Sequence, residues 1–245
     1  MGIKSKIEWT DATWNPVTGC TKISEGCKNC YAERIAKRFW GDRKFSDIQC
    51  HPDRLAAPGK WRKPRKIFVC SMSDLFHDQV PFEFIYEVWA EMICHPKHTF
   101  MVLTKRPLRM LAFANWYGVN NVVADNIWVG VSAENQAMID ERIPLLLEME
   151  ASIKFVSVEP MLEEMDIDKY LNRLDWIICG CESGTGARVA KHEWIASLLH
   201  SCQEYSVPFF LKQVKSPPNG GRIIKMPEFL GRVRDQYPVD SLGGG

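Results

Sequence analysis

The chain lacks any apolar run of the roughly 18 residues that a membrane-spanning helix needs. Its polar start, Met1-Gly2-Ile3-Lys4-Ser5-Lys6, holds no apolar signal core. Both absences favour a cytoplasmic protein with no membrane partner. Histidine is scarce, at 6 in 245 residues. No histidine stands in a convincing Cys-His or Ser-His-Asp set, so a nucleophilic hydrolase is not the first reading. Net charge is nearly absent, at +1, with 25% charged and 46% hydrophobic residues. That balance is the composition of an ordinary folded protein with a core of its own.

Cysteine is abundant by contrast, at 9. The number is odd and no secretion signal accompanies it, so reduced thiols and metal binding are a better reading than disulfides. Three of the thiols, Cys20, Cys27 and Cys30, share one short stretch from Gly19 to Tyr31 with spacing C-x6-C-x2-C. A structural zinc ion takes four ligands in a closed tetrahedron. A four-iron cluster also has four corners, usually all held by thiolates. Three protein ligands leave one corner open, and an open corner is where a cofactor or substrate binds. A zinc site completed by Cys50 or His51 competes with this reading, as do plain buried cysteines.

Short β-branched or aromatic runs alternate with helical patterns along most of the chain. Strands are expected at Thr13–Thr18, Lys66–Ser71, Thr99–Thr104, Ile127–Ser132, Ile153–Val158, Trp176–Gly180 and Pro208–Gln213. Helices are expected at Tyr31–Trp40, Phe82–Cys94, Pro107–Trp116, Glu134–Glu148, Leu162–Leu174 and Lys191–Tyr205. The first puts Tyr31, Ile35 and Phe39 on one face. Such alternation argues for an α/β fold with a parallel sheet. A full eight-fold barrel needs about 250 residues, so a partial TIM-type (βα)6 barrel with an N-terminal cluster-binding loop fits better. One domain is expected over residues 1–215, followed by a partly flexible extension over 216–245.

The cysteine triplet resembles that of the radical S-adenosylmethionine (SAM) enzymes, whose usual spacing is C-x3-C-x2-C. Here the first gap has six residues, and Asn29 rather than an aromatic residue precedes the third cysteine. Taken with Trp9–Pro16, Ser71–Phe76 and Leu103–Pro107, the triplet is similar to a narrower group, the phage-associated three-Cys-motif proteins. The resemblance implies a (βα)6 core and a [4Fe-4S] cluster on Cys20, Cys27 and Cys30. It further implies that SAM binds the open iron and that an electron donor serves the cluster. The implied reaction is reductive cleavage of SAM to a 5′-deoxyadenosyl radical that abstracts hydrogen from a substrate.

In parallel βα folds the active residues collect at the carboxyl ends of strands. Ser71, Ser73 and Asp74 occupy the place where the resemblance puts contacts to the SAM amino group; capping of a following helix is the rival role. Lys105, beside Arg106, could pair with a carboxylate or phosphate. Ser132, Glu134 and Asn135 suit the ribose and methionine carboxylate, with capping again the rival. Glu159 follows a buried strand and needs a partner, which could be substrate or a rim cation. Gly180 and Glu182 belong to a glycine-bearing strand end where the resemblance packs the adenine. Cys70, Cys179 and Cys181 read first as ordinary core cysteines, with a second metal as the lesser alternative.

Residues 1–66 hold 15 Lys/Arg and 7 Asp/Glu, so the rest of the chain is acidic. The excess peaks in Lys60-Trp61-Arg62-Lys63-Pro64-Arg65-Lys66. Such a run could hold phosphates and stack a base, or be a solvated loop. With a distant likeness to the spore-photoproduct-lyase type, it makes nucleic acid or a nucleotide the expected substrate. A non-catalytic nucleic-acid-binding protein carrying zinc or a cluster is the alternative.

Overall fold

The computed structural model describes residues 5–118, 123–184, 186–215 and 221–238. The first strand expected from sequence is two strands. β1 (Ala12–Trp14) ends before Asn15-Pro16, and β2 (Val17–Thr18) turns away to pair antiparallel with β3 (Gln49–Cys50). Pro16 has no N–H for a ladder, so the strand breaks there. The cysteine loop and α1 (Tyr31–Phe39) lie between β2 and β3.

The rest of the chain is regular alternation. β4 (Lys66–Val69), α2 (Phe82–Ile93), β5 (Thr99–Thr104), α3 (Pro107–Tyr117), β6 (Ile127–Ser132), α4 (Gln136–Leu147) and β7 (Ile153–Val158) come first. A short α5 (Asp168–Leu171), β8 (Trp176–Gly180), α6 (His192–Glu204) and β9 (Phe209–Lys215) follow. Strand order is β1-β4-β5-β6-β7-β8-β9, all parallel, and β10 (Ile223–Lys225) adds antiparallel to β9. The result is an open, curled half-barrel, the partial TIM-type fold expected from the alternation.

Period-two patterning sets two cores. Ile67, Val102, Val129, Val156, Ile177 and Phe209 point outward against the helices. Phe68, Met101, Trp128, Phe155, Trp176 and Phe210 point into the concave side. Both faces are covered, which is why these strands read as continuous apolar runs. Gly130 takes an inward position because the Phe155 ring lies over it; a Cβ there would stand 2.7 Å from that ring. Trp9 crosses the concave side from the N-terminal segment, with its ring centroid 4.7 Å from Phe68 and 6.2 Å from Trp176.

Three expectations change in detail. Only Asp168–Leu171 of the expected Leu162–Leu174 helix is helical. Its first residues are held by other partners: the Leu162 N–H donates to Glu134 O, and the Asp166 N–H to Gln136 Oε1. In α1 the buried residues are Ala32 and Ala36, while Ile35 and Phe39 are 41% and 69% exposed. The shared face of Tyr31, Ile35 and Phe39 is thus the exposed one. Beyond β9 the chain is not a loose appendage throughout: a hairpin of β11 (Glu228–Phe229) and β12 (Arg232–Val233) follows β10, and Tyr237 packs 5.1 Å from Trp176. Residues 216–220 and 239–245, part of the segment expected to be flexible, lie outside the described residues. No helix among those described is long and apolar enough to cross a membrane.

Candidate active site at the strand carboxyl ends

The cysteine loop starts at Gly19, whose φ of +97° is a conformation that only glycine adopts readily. A Cβ here would also stand 2.4 Å from Asp47 O. Cys20 is fixed next, its N–H donating to Phe45 O at 2.8 Å. A single 3-10 turn, Glu25–Cys27, then leads to Cys30, which occupies the N-cap position of α1. All three thiols are free and half-buried.

Long-range bonds pin this loop to the strand ends. Gly26 N–H donates to Glu134 Oε1 at 3.0 Å, and Asn29 Nδ2 donates to Glu182 Oε2 at 2.8 Å. Arg188 pairs with Glu182 and donates to Glu25 O at 2.8 Å. Tyr31 Oη donates to Ser71 O at 2.7 Å. Arg106 Nη2 donates to Thr21 O at 3.2 Å, while its Nη1 lies 3.7 Å from Cys20 Sγ and 3.2 Å from Asp74 Oδ2. Burial, then the Asp74 charge, pushes the Cys20 thiol up to about 11 against the pull of Arg106. Metal binding at such a thiol therefore releases a proton.

A cavity of about 220 Å³ opens where loop and strand ends meet. Cys20, Cys27 and Cys30 line one side of it. The rim is polar: Ser71, Ser73 and Asp74 after β4, Lys105 after β5, Ser132 on β6, Glu159 after β7, and Glu182 after β8. The floor is apolar, with Trp9, Phe68 and Leu103. Lys105 Nζ donates to Ser132 Oγ, which donates to Glu159 O at 3.1 Å. Lys212 Nζ stands 3.0 Å from Glu159 Oε1. That oxygen is buried and has an ion pair but no aligned hydrogen bond.

The sequence model of the family described as "Protein of unknown function (DUF5131)" matches residues 4–235. The chain belongs to that family. No curated protein matches it. Among solved structures, a spore photoproduct lyase carrying a Cys-to-Ser substitution aligns at a TM-score of 0.50 and 11% identity, over 82% of this chain and 74% of that one. Spore photoproduct lyase complexed with dinucleoside spore photoproduct aligns at 0.48 and 11%, over 77% and 71%. At 11% identity, what this DUF5131 chain shares with the first of these is the fold.

Of the three cysteines and ten cofactor-contact residues expected from sequence, ten line the cavity and three do not: Glu134, Asn135 and Gly180. Asn135 Oδ1 accepts from Met138 N–H at 3.0 Å, which is the capping role weighed against cofactor contact. Glu134 is wholly buried between Gly26, Arg142 and Lys105. Gly180 lies behind Glu159, whose Oε1 would be 2.5 Å from a Cβ there. Tyr31, Cys181, Lys212 and Gln213 line the cavity too. Lys212 and Gln213 follow the apolar run Phe209-Phe210-Leu211, the same strand-end signal that marked the other sites. Cys179 Sγ contacts Met161 Sδ and Cys181 Sγ contacts Glu182 O, so these two thiols face different partners.

The basic run Lys60–Lys66 is elsewhere. It leads into the amino end of β4, so it sits at the other end of the sheet from the cavity. Trp61 packs edge-on against His98 at 6.0 Å, with the Arg65 guanidinium 5.6 Å from its ring. Cys50 and His51, the fourth-ligand candidates for zinc, are also outside the cavity lining. The His51 ring Nε2 shares a 2.7 Å hydrogen bond with Thr18 Oγ1.

Proposed function

We propose that the chain is a radical SAM enzyme and, more narrowly, one of the phage-associated three-Cys-motif proteins. The observation that carries this reading is three free thiols from one loop opening on the same cavity as a rim of acceptors and cations. The half-barrel supports it, because that is the core the resemblance implies.

The residues present suit the group. Among the described residues no three His, Cys, Asp or Glu side chains converge on one metal ion. A four-iron cluster takes its thiolates at separate corners rather than at one ion. Three thiols leave a corner for SAM. Glu159 lines the cavity as a carboxylate already paired with Lys212, and Lys105 is a donor for a carboxylate. Ser71, Ser73, Ser132 and Glu182 supply neutral and anionic acceptors around it.

When bound, cluster and SAM supply one-electron cleavage of a sulfonium carbon–sulfur bond and removal of a hydrogen atom from substrate. The chain's part is to orient and exclude. Trp9, Phe68 and Leu103 make a dry floor, and Arg106 offsets the charge of Cys20. The substrate is a nucleic acid or nucleotide, and an external reductant supplies the electron.

Anaerobic reconstitution tests this reading. The expected protein binds about four irons and four sulfides, with the visible absorption of a cluster, and converts SAM to 5′-deoxyadenosine on reduction. Stoichiometric zinc without iron overturns it and favours a non-catalytic zinc protein.

A further inference from the structure

A second hollow, of about 680 Å³, runs along the open side of the half-barrel. It lies between the edge strand β1 and the far edge at β9 and β10, under the exposed face of α1. It adjoins the central cavity, sharing Ile7, Tyr31, Ser71, Ser183, Lys212 and Gln213 with it.

Its lining is basic. Lys6, Arg34, Arg38, Lys212 and Lys225 line it, against the single carboxylate of Glu8. Lys225 pairs with Glu8, and Lys212 with Glu159. Among the described residues, no carboxylate pairs with Lys6 or Arg38. Alongside these cations, Ile35 and Phe39 stand 41% and 69% exposed on α1. Exposed apolar side chains on an amphipathic helix, with the Arg38 guanidinium 5.2 Å over the Phe39 ring, match a ligand with both charge and flat rings. Aromatic rings stack on bases where those bases are unpaired, and cations follow the phosphates.

We propose that this groove binds single-stranded nucleic acid, with phosphates at Lys6 and Arg38, a base against Phe39, and the strand leading past Tyr31 into the central cavity. The proposal rests on the enzyme reading above for what happens in that cavity, but the groove itself does not need the cofactors. It moves the phosphate contacts from Lys60–Lys66, at the other end of the sheet, to the side where the cavity opens.

The test is fluorescence anisotropy of a labelled single-stranded octanucleotide with the full chain over a range of salt concentrations. Each phosphate contact contributes about 0.7 to the slope of log K against log salt. Lys6→Gln with Arg38→Gln should therefore flatten the slope by about 1.4. Phe39→Ala should weaken binding about tenfold at fixed salt. Arg62→Gln with Lys63→Gln should change neither. All these side chains are exposed, and circular dichroism checks that the variants fold.

An unchanged slope in the Lys6/Arg38 variant overturns the proposal. Polyglutamate competing as well as the octanucleotide overturns it in favour of an acidic peptide. A mononucleotide binding as tightly as the octanucleotide overturns it in favour of a small phosphorylated metabolite. Groove binding that persists in a protein unable to cleave SAM sinks only the enzyme reading, and SAM cleavage without strand binding sinks only the groove.

Discussion

Glu134 Oε1 accepts a 3.0 Å hydrogen bond from the backbone N–H of Gly26, the residue just before Cys27. The other carboxylate oxygen lies 3.2 Å from Arg142 Nη1 and 3.9 Å from Lys105 Nζ. A glutamate on the β6 rim thus holds the cysteine loop in place from below. Burial pushes its carboxyl up, but Lys105, hydrogen bonds from Ser24 and the Gly26 N–H, and Arg142 together hold it below the usual range. Glu134 itself does not line the cavity, but its partner Gly26 does.

Glu134→Ala leaves Arg142 buried without its carboxylate. Loss of one partner of a buried pair costs about 3–5 kcal/mol. Urea denaturation should show a loss of that size, and the reconstituted variant should hold less iron because its loop is no longer anchored. If stability is unchanged while SAM binding weakens tenfold, Glu134 is a cofactor ligand instead.

Asp74 is engaged on every side. It accepts from Thr104 Oγ1 at 2.8 Å, Phe76 N–H at 3.0 Å, Lys105 N–H at 3.0 Å and Arg106 Nη1 at 3.2 Å. Asp74→Ala should also lower stability by about 3–5 kcal/mol, read by chemical denaturation. Arg106, released from Asp74, would no longer be held beside Cys20, so iron retention should fall as well. A variant as stable as the parent would mean that these bonds contribute little.

Cys20→Ser, Cys27→Ser and Cys30→Ser should each abolish the cluster, measured as bound iron and sulfide after anaerobic reconstitution. Cys94→Ser is the control, since Cys94 is exposed at the end of α2 and away from the cavity. Equal iron in all four variants would reject the ligand assignment.

Trp9 closes the concave side, 1% exposed and in contact with Phe68, Phe155 and Trp176. Trp9→Ala should cost about 3–5 kcal/mol and lower Tm by roughly 6–20 °C, read by calorimetry. The floor of the cavity would then open to water, so SAM cleavage should suffer even where the protein stays folded. A shift below about 2 °C would show that the N-terminal segment is dispensable.

The half-barrel was legible in the sequence because its physics is local. Parallel strands covered on both faces leave apolar runs such as Ile127–Ser132, and helices between them leave a 3.6-residue pattern. The break at Pro16 was readable in principle from the missing N–H, whereas the loss of the Leu162–Leu174 helix was not. There Gln136 and Glu134, distant in sequence, supply the backbone partners that a helix would have supplied itself.

The cysteine loop and the polar strand ends were likewise visible, since residue type and position after a strand mark them. Which of those polar groups face the cavity was decided only by packing. Ser132 and Glu134 are two residues apart at the end of one strand, yet one lines the cavity and the other is buried beneath the loop. The basic run Lys60–Lys66 was visible in sequence because its cations are consecutive. In space a second group of cations, Lys6, Arg34, Arg38, Lys212 and Lys225, lines the adjoining hollow, gathered from both ends of the chain by the curl of the sheet. A pattern with short spacing survives in a sequence, but the nearness of β1 to the far edge at β9 and β10, which together line the second hollow, exists only once the sheet has curved.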